Sequence, residues 1–269
     1  MKTTEKIYCI PGNRFPSNFI FAAFSDANAE LPSDSANVII VIPDESGVIP
    51  SNLSDALTDL APRQAFLISS SQVYGDEYTS ATEDCISSSS AIAKSWLQTE
   101  KTFSDLCTQS DVIATILRVP LLIGTGMIGE MRRRVNAIYR SVYRHIDSIE
   151  AHQSVLHARD LPEIILKLRG YQGIFNISDN TDPTTYDIAE ALSSRMGAKR
   201  IYTVKAKWAR IVARLADMLG MKDLGTNLFM SITATRTIDT SRLAGVVPDW
   251  QPTDTLDFLV NHTYSAVDP

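Results

Sequence analysis

Short apolar runs separated by amphipathic stretches recur along the first two thirds of the chain. "KIYCIPGN" (6–13) is an apolar run closed by Pro-Gly, which predicts a strand meeting a turn. "NVIIVIP" (37–43), "AFLISSS" (65–71), "VIATILRVP" (112–120) and "GIFNIS" (173–178) are further short runs. "NVIIVIP" is apolar throughout rather than alternating, as a parallel strand buried on both faces requires. Helical spacing fills the intervals: "PSNFIFAAF" (16–24), with Pro16 tolerated near a helix start, and 51–62, where Leu53, Leu57 and Leu60 share a face and Pro62 follows. It recurs in 93–107, in the basic segment 126–144, and in 182–197, which Gly197 is placed to end. Strands alternating with helices at this interval predict a parallel α/β sheet with crossover helices. Beyond about residue 200 the pattern turns more helical, and no repeat of solenoid or propeller length is present.

Composition narrows the function classes. A chain of 269 residues with 44% hydrophobic and 21% charged content fits one large domain, or one domain with a smaller lobe built on it. The net charge of −6 argues against binding a nucleic-acid backbone. Cys9, Cys85 and Cys107 are odd in number and far apart, which matches neither a disulfide framework nor a zinc site and favours a reducing compartment. The longest apolar run is far shorter than the roughly 20 residues of a membrane span, and no signal-length apolar segment follows "MKTTEK"; a cytoplasmic protein without a membrane span is expected. The four scattered histidines offer no metal-ligand spacing, and no metal is expected.

The most specific stretch is "LISSSQVYGDE" (67–77), a strand running into hydroxyl residues. It places them at the carboxyl edge of a parallel sheet, where open α/β folds bind ligands. Ser69-Ser70-Ser71-Gln72-Val73-Tyr74-Gly75 resembles the Ser-Ser/Thr-x-x-Val-Tyr-Gly segment of the extended short-chain dehydrogenases/reductases, the nucleotide-sugar epimerases, dehydratases and 4-keto reductases. "TEDC" (82–85), "TILRVPLLIG" (115–124), "SVLHARDLPEIILKL" (154–168), "GIFNISD" (173–179) and "IDTSRLAGVVPDWQPTDTLDFL" (238–259) are similar to other family segments, in the family's order. The likeness spans about residues 6–260. It implies a Rossmann-like doubly wound parallel sheet, with a small C-terminal substrate lobe from about 125–155 and 198–250. It also implies NAD or NADP as cofactor, a small-molecule substrate such as a nucleotide-sugar, and a homodimer as the candidate assembly. The family's catalytic hydroxyl falls on Ser70.

Three departures fall where that family does its chemistry. Its Tyr-x-x-x-Lys pair stacks on one helix face, the lysine lowering the tyrosine's pKa. Lys94 fits the lysine position, but Ser90 stands four residues before it, in the serine-rich "SSSSAIAKS" (87–95). A serine cannot replace a phenol as the proton-transferring group. The resemblance therefore leaves Ser70 to orient substrate, Lys94 to bind the nicotinamide ribose, and Tyr74 or Tyr78 to handle the proton. The glycine-rich phosphate loop is also lost: Gly12, Asn13, Arg14 and Phe15 are the candidate cofactor contacts, with Arg14 or loop amides meeting phosphate. Only 27 residues separate Ile10 from Val38, so the sheet is shortened after the first helix, with no convincing acid to read the adenosine ribose. The family's pyrophosphate arginine is matched by Gln153 at best. Three losses at three functional elements raise a second reading, a catalytically silent relative serving as a nucleotide-binding or regulatory module.

Two further features have bland expectations. The arginines of "RRR" (132–134) are expected on a solvated helix face. Trp208, Ile211, Val212, Leu215, Met218 and Leu219 form a stripe beside Lys205, Lys207, Arg210 and Arg214. It is expected to pack onto the small lobe or a dimer partner rather than lie on a membrane surface.

Overall fold

A computed structural model describes residues 7–11, 38–44, 47–87, 90–124, 129–147, 149–197, 200–220, 229 and 232–261. The main sheet is built from β1 (Ile7–Pro11), β2 (Val38–Ile42), β3 (Gln64–Ser70), β5 (Ile113–Val119) and β9 (Gly173–Asn176). They pair in the order β1-β2-β3-β5-β9, all parallel. Among the described residues three parallel pairs lie outside it. β4 (Tyr78–Ala81) pairs with β11 (Arg236–Ile238), β6 (Leu121–Ile123) with β8 (Val155–His157), and β7 (Arg144–Asp147) with β10 (Tyr202–Lys205). The expected Rossmann-like α/β sheet is present.

Its helices cover both faces, because the central strands are apolar on both sides. Val38, Ile40, Phe66, Ile68 and Leu117 point to the face covered by α4 (Leu161–Lys167), where Leu161, Ile164 and Trp250 complete the cluster. Ile39, Val41, Leu67 and Ile116 point to the other face, against Leu53 and Leu57 of α1 (Leu53–Leu60) and Phe103 and Cys107 of α2 (Ala91–Gln109). The period-2 alternation of β-strand side chains divides each apolar run between two cores. A third core joins Met131 and Ile138 of α3 (Gly129–Tyr139), Ile146 of β7, and Ile188 and Leu192 of α5 (Thr185–Arg195). The remaining α-helices of the described residues are α6 (Ala206–Met218), α7 (Ser241–Val246) and α8 (Thr255–Asn261).

The long basic helix expected over 126–144 stops at Tyr139. Ser141 then takes a left-handed φ of +58°, and the chain turns into β7, whose backbone pairs with β10 instead of continuing as helix. Strand order in the described sheet runs from β1 through β2, β3 and β5 to β9. No helix of the described residues is long and apolar enough to cross a membrane.

Cys107 lies fully buried, and burial pushes its thiol up to about 12, while Cys85 is exposed. In a Cys9→Ser background, iodoacetamide at neutral pH is expected to label Cys85 and to spare Cys107 until denaturant is added, as read by mass spectrometry.

A candidate ligand cleft at the carboxyl edge of the sheet

A cleft of about 360 Å³ opens beyond the carboxyl ends of β2, β3 and β5, within the size range of small-molecule sites. Its floor comes from Ile42 to Asp44, from Ile68 to Gln72, and from Val119 to Leu122. Tyr78, Ile92, Trp96, Arg133, Gln153 and Arg236 form its walls.

The hydroxyl run at the end of β3 is divided by the strand's alternation. Ser69, 1% exposed, turns inward and donates to Glu100 Oε1 at 2.7 Å. Ser70 faces the cleft and caps the following 3-10 turn, its Oγ accepting from the Gln72 amide at 3.2 Å. Ser71 accepts a 2.7 Å hydrogen bond from the Tyr78 hydroxyl, so the two form a hydroxyl pair on the cleft wall. Gly75 ends the turn at φ +100°, ψ −156°, backbone that essentially only glycine adopts.

Tyr74 is not part of this wall. It is 5% exposed, and its hydroxyl donates to Asn176 Oδ1 at 2.5 Å while accepting from Arg118 Nη1 at 3.1 Å. Burial pushes its phenol above the ordinary value, against the opposing pull of Arg118. A buried phenol with both hydrogen-bonding roles filled is poorly placed to exchange a proton with a ligand in the cleft. Tyr74 therefore belongs to the core, and of the two tyrosines it is Tyr78 that lines the cleft.

Lys94 is also displaced. α2 begins at Ala91, with Ser90 as its N-cap, the Oγ accepting from the Ala93 amide at 3.0 Å. The serine run thus ends in a helix cap, a role serine fills well. Ile92 and Trp96, one helical turn apart, face the cleft, whereas Lys94 is exposed elsewhere on the helix. The i, i+4 pair on the cleft face is consequently apolar, where the resembling family carries tyrosine and lysine. Ser90→Ala is expected to cost about 1 kcal/mol in denaturant unfolding. Lys94→Ala is expected to change stability by less than about 0.5 kcal/mol, with ligand titrations unaltered.

The arginine run is not uniformly solvated. Arg133 lines the cleft, and Arg134, 4% exposed, donates through Nη2 to Gln153 Oε1 at 3.2 Å. Arg236 was not singled out in the sequence. β11 sets it in register with Tyr78, and a β-bridge joins it to Gln153, so a guanidinium stands beside the position where the family's pyrophosphate arginine is missing. Its Nε donates to the Asp76 carbonyl at 2.9 Å. Only the pairing of two short strands far apart in sequence brings Tyr78, Gln153 and Arg236 together. His157 and Asp160 are structural: His157 meets the Phe258 ring edge-on, and Asp160 accepts from the Thr253 amide at 2.9 Å. Gly12, Asn13, Arg14 and Phe15 lie outside the described residues. Among the described residues no group of three or more His, Cys, Asp or Glu is arranged to hold a metal ion.

No protein-family profile matches the sequence, and no curated protein is similar enough to be matched. Solved structures are similar in fold. A UDP-N-acetylglucosamine 4-epimerase from Bacillus cereus superposes with a TM-score of 0.63 at 12% identity, over 95% of this chain and 94% of the other. RMD from Pseudomonas aeruginosa, complexed with NADPH, gives 0.63 at 13% identity, over 94% and 97%. A dTDP-glucose 4,6-dehydratase from Bacillus anthracis, in complex with NAD, gives 0.60 at 15% identity, over 91% and 74%. At these identities the likeness establishes the fold that the chain shares with these epimerase, dehydratase and NADPH-bound structures.

Proposed function

We propose that the carboxyl-edge cleft takes a nicotinamide dinucleotide together with a nucleotide-sugar or related keto/hydroxy substrate, in an epimerase, dehydratase or reductase type of reaction. The observation that carries this reading is the Ser71–Tyr78 hydroxyl pair, which lines the cleft together with Ser70 and Arg236. Ser70 orients a substrate hydroxyl or carbonyl, Tyr78 exchanges the proton, and Arg133 and Arg236 meet phosphate oxygens through guanidinium forks. The nicotinamide would supply the hydride chemistry; this chain's residues bind, orient and move the proton.

A second reading, a binding module without turnover, is favoured by one specific feature. Ile92 and Trp96 give the cleft an apolar wall where proton transfer would need a polar pair.

Calorimetric titration with NAD(H), NADP(H) and UDP-sugars separates the readings. Binding of a dinucleotide and a nucleotide-sugar, with Arg236→Ala weakening the latter about tenfold or more, supports the first. No dinucleotide binding at millimolar concentration sinks it, and nucleotide-sugar binding alone, without turnover, leaves the second.

A further inference from the structure

The orientation of α6 reverses what a helix on a globular lobe normally does. Its small residues face inward: Ala213 and Ala216 are buried, and Ala206 and Ala209 pack against the third core. Its large apolar residues face outward. Trp208 is 62% exposed, Val212 56%, Leu215 53%, Met218 83% and Leu219 74%. They recur every three or four residues and so form a continuous stripe over three turns. Such a stripe is not the scattered exposure usual on protein surfaces.

The charges beside the stripe are mostly positive. Lys207, Arg210 and Arg214 follow one another at helical spacing along its flank, and Lys205 precedes the helix. Asp217 is the one acid between Lys205 and Leu219, on a chain whose net charge is −6. The ribbon leading into the helix continues the pattern: Tyr202 of β10 is 46% exposed, with the Arg144 and Arg200 guanidinium groups 5.0 and 5.2 Å from its ring centroid. A Trp- and Leu-bearing apolar stripe, flanked by cations and by an exposed tyrosine, is the surface that binds the headgroup region of an anionic bilayer. A second copy fits less well, because an isologous contact through α6 sets Lys207, Arg210 and Arg214 against the same residues of the partner.

We infer that α6 is a docking surface for an anionic lipid bilayer, on which it lies with Trp208, Val212, Leu215 and Leu219 in the interface. The site is independent of the cleft and of what the cleft binds.

The full chain is tested by co-sedimentation with phosphatidylcholine vesicles, alone or containing about one third phosphatidylglycerol. Binding is expected to the phosphatidylglycerol vesicles and to fall steeply as salt is raised. Of the three tryptophans, Trp96 and Trp250 are 6% and 8% exposed, so a lipid-dependent blue shift of emission reports Trp208. The doubles Trp208→Ser/Leu215→Ser and Lys207→Glu/Arg214→Glu are each expected to lose about tenfold or more in vesicle binding, while nucleotide titrations stay unchanged. The proposal is overturned if the wild type remains in the supernatant with both vesicle types. It is equally overturned if the chain is a dimer without lipid and the Trp208/Leu215 double makes it a monomer, since a second copy then covers the helix.

Discussion

Glu100→Ala is expected to destabilise the protein by about 3–5 kcal/mol, the cost of leaving a buried charge without its partner. Arg118 and Glu100 have 2% and 6% of their side chains exposed. Arg118 Nε reaches Glu100 Oε1 at 2.9 Å and Nη2 reaches Oε2 at 2.7 Å, a two-pronged pair that bolts α2 to the centre of the sheet. Burial alone would lower the guanidinium's pKa; the Glu100 hydrogen bonds and charge more than offset this and hold it above its usual value. Arg118 thus stays protonated at any pH the fold survives, and removing the carboxylate strands it. Its Nη1 retains the Glu83 carbonyl at 2.7 Å and the Tyr74 hydroxyl, neither of which neutralises the charge. The double variant Glu100→Leu/Arg118→Met removes both charges. It is expected to recover more than half of the loss, with the unsatisfied Ser69 hydroxyl and Glu83 carbonyl costing about 1–3 kcal/mol. Guanidinium unfolding at constant m-value checks both; a double variant no more stable than Glu100→Ala contradicts the assignment.

The second large effect separates two tyrosines four residues apart. Tyr78→Phe is expected to lower turnover of any substrate the cleft accepts by about 10²–10⁴-fold, the usual contribution of a positioned acid or base. Its stability loss should be only about 0.5–1.5 kcal/mol, for one hydrogen bond to Ser71. Tyr74→Phe is expected to do the opposite. It leaves Asn176 Oδ1 without a donor inside the buried network, at a cost of about 1–3 kcal/mol. Turnover per folded molecule should be unchanged. Steady-state rates and denaturation midpoints on the same preparations decide the matter. A Tyr74→Phe enzyme that folds normally but loses turnover would return Tyr74 to the site. The pH dependence of stability has a matching sign. Since the Tyr74 phenol is raised in the fold, its contribution is complete below pH 10 and is lost as pH rises through the folded value.

The main sheet was legible because β2, β3 and β5 are apolar runs of five to seven residues that show no helical period, because the short β9 lies in the longer run GIFNIS, and because the cores on both faces use every residue of β2. The short pairs β4–β11, β6–β8 and β7–β10 were not, since strands of three or four residues carry no readable alternation. That limit also governed the site. Ser70 reaches the cleft because the strand that bears it is long and its turn chemistry specific. Arg236 went unnoticed because it lies on a three-residue strand whose partner, Tyr78, is far away in the chain. The i, i+4 spacing of Ser90 and Lys94 does not by itself fix the helix phase. Once Ser90 is the cap, Ile92 and Trp96 occupy the cleft face, and a residue two positions from either points away from it.

From sequence alone, the order of apolar runs and helical stripes determined a parallel α/β sheet with helices on both faces, because strand and helix periods are local properties. The same local pattern showed that α6 has an apolar stripe. Which side of that helix meets the lobe is a tertiary matter: Ala213 and Ala216 are buried and the bulky stripe is left exposed. The fates of Tyr74 and Tyr78 were likewise undecided by sequence, as both follow the same strand end. Asn176 and Arg118, brought over from neighbouring strands, draw one hydroxyl into the core, while Ser71 holds the other at the cleft. Long-range pairing chooses between chemically equivalent neighbours, since a hydrogen-bonding group settles where a partner satisfies it.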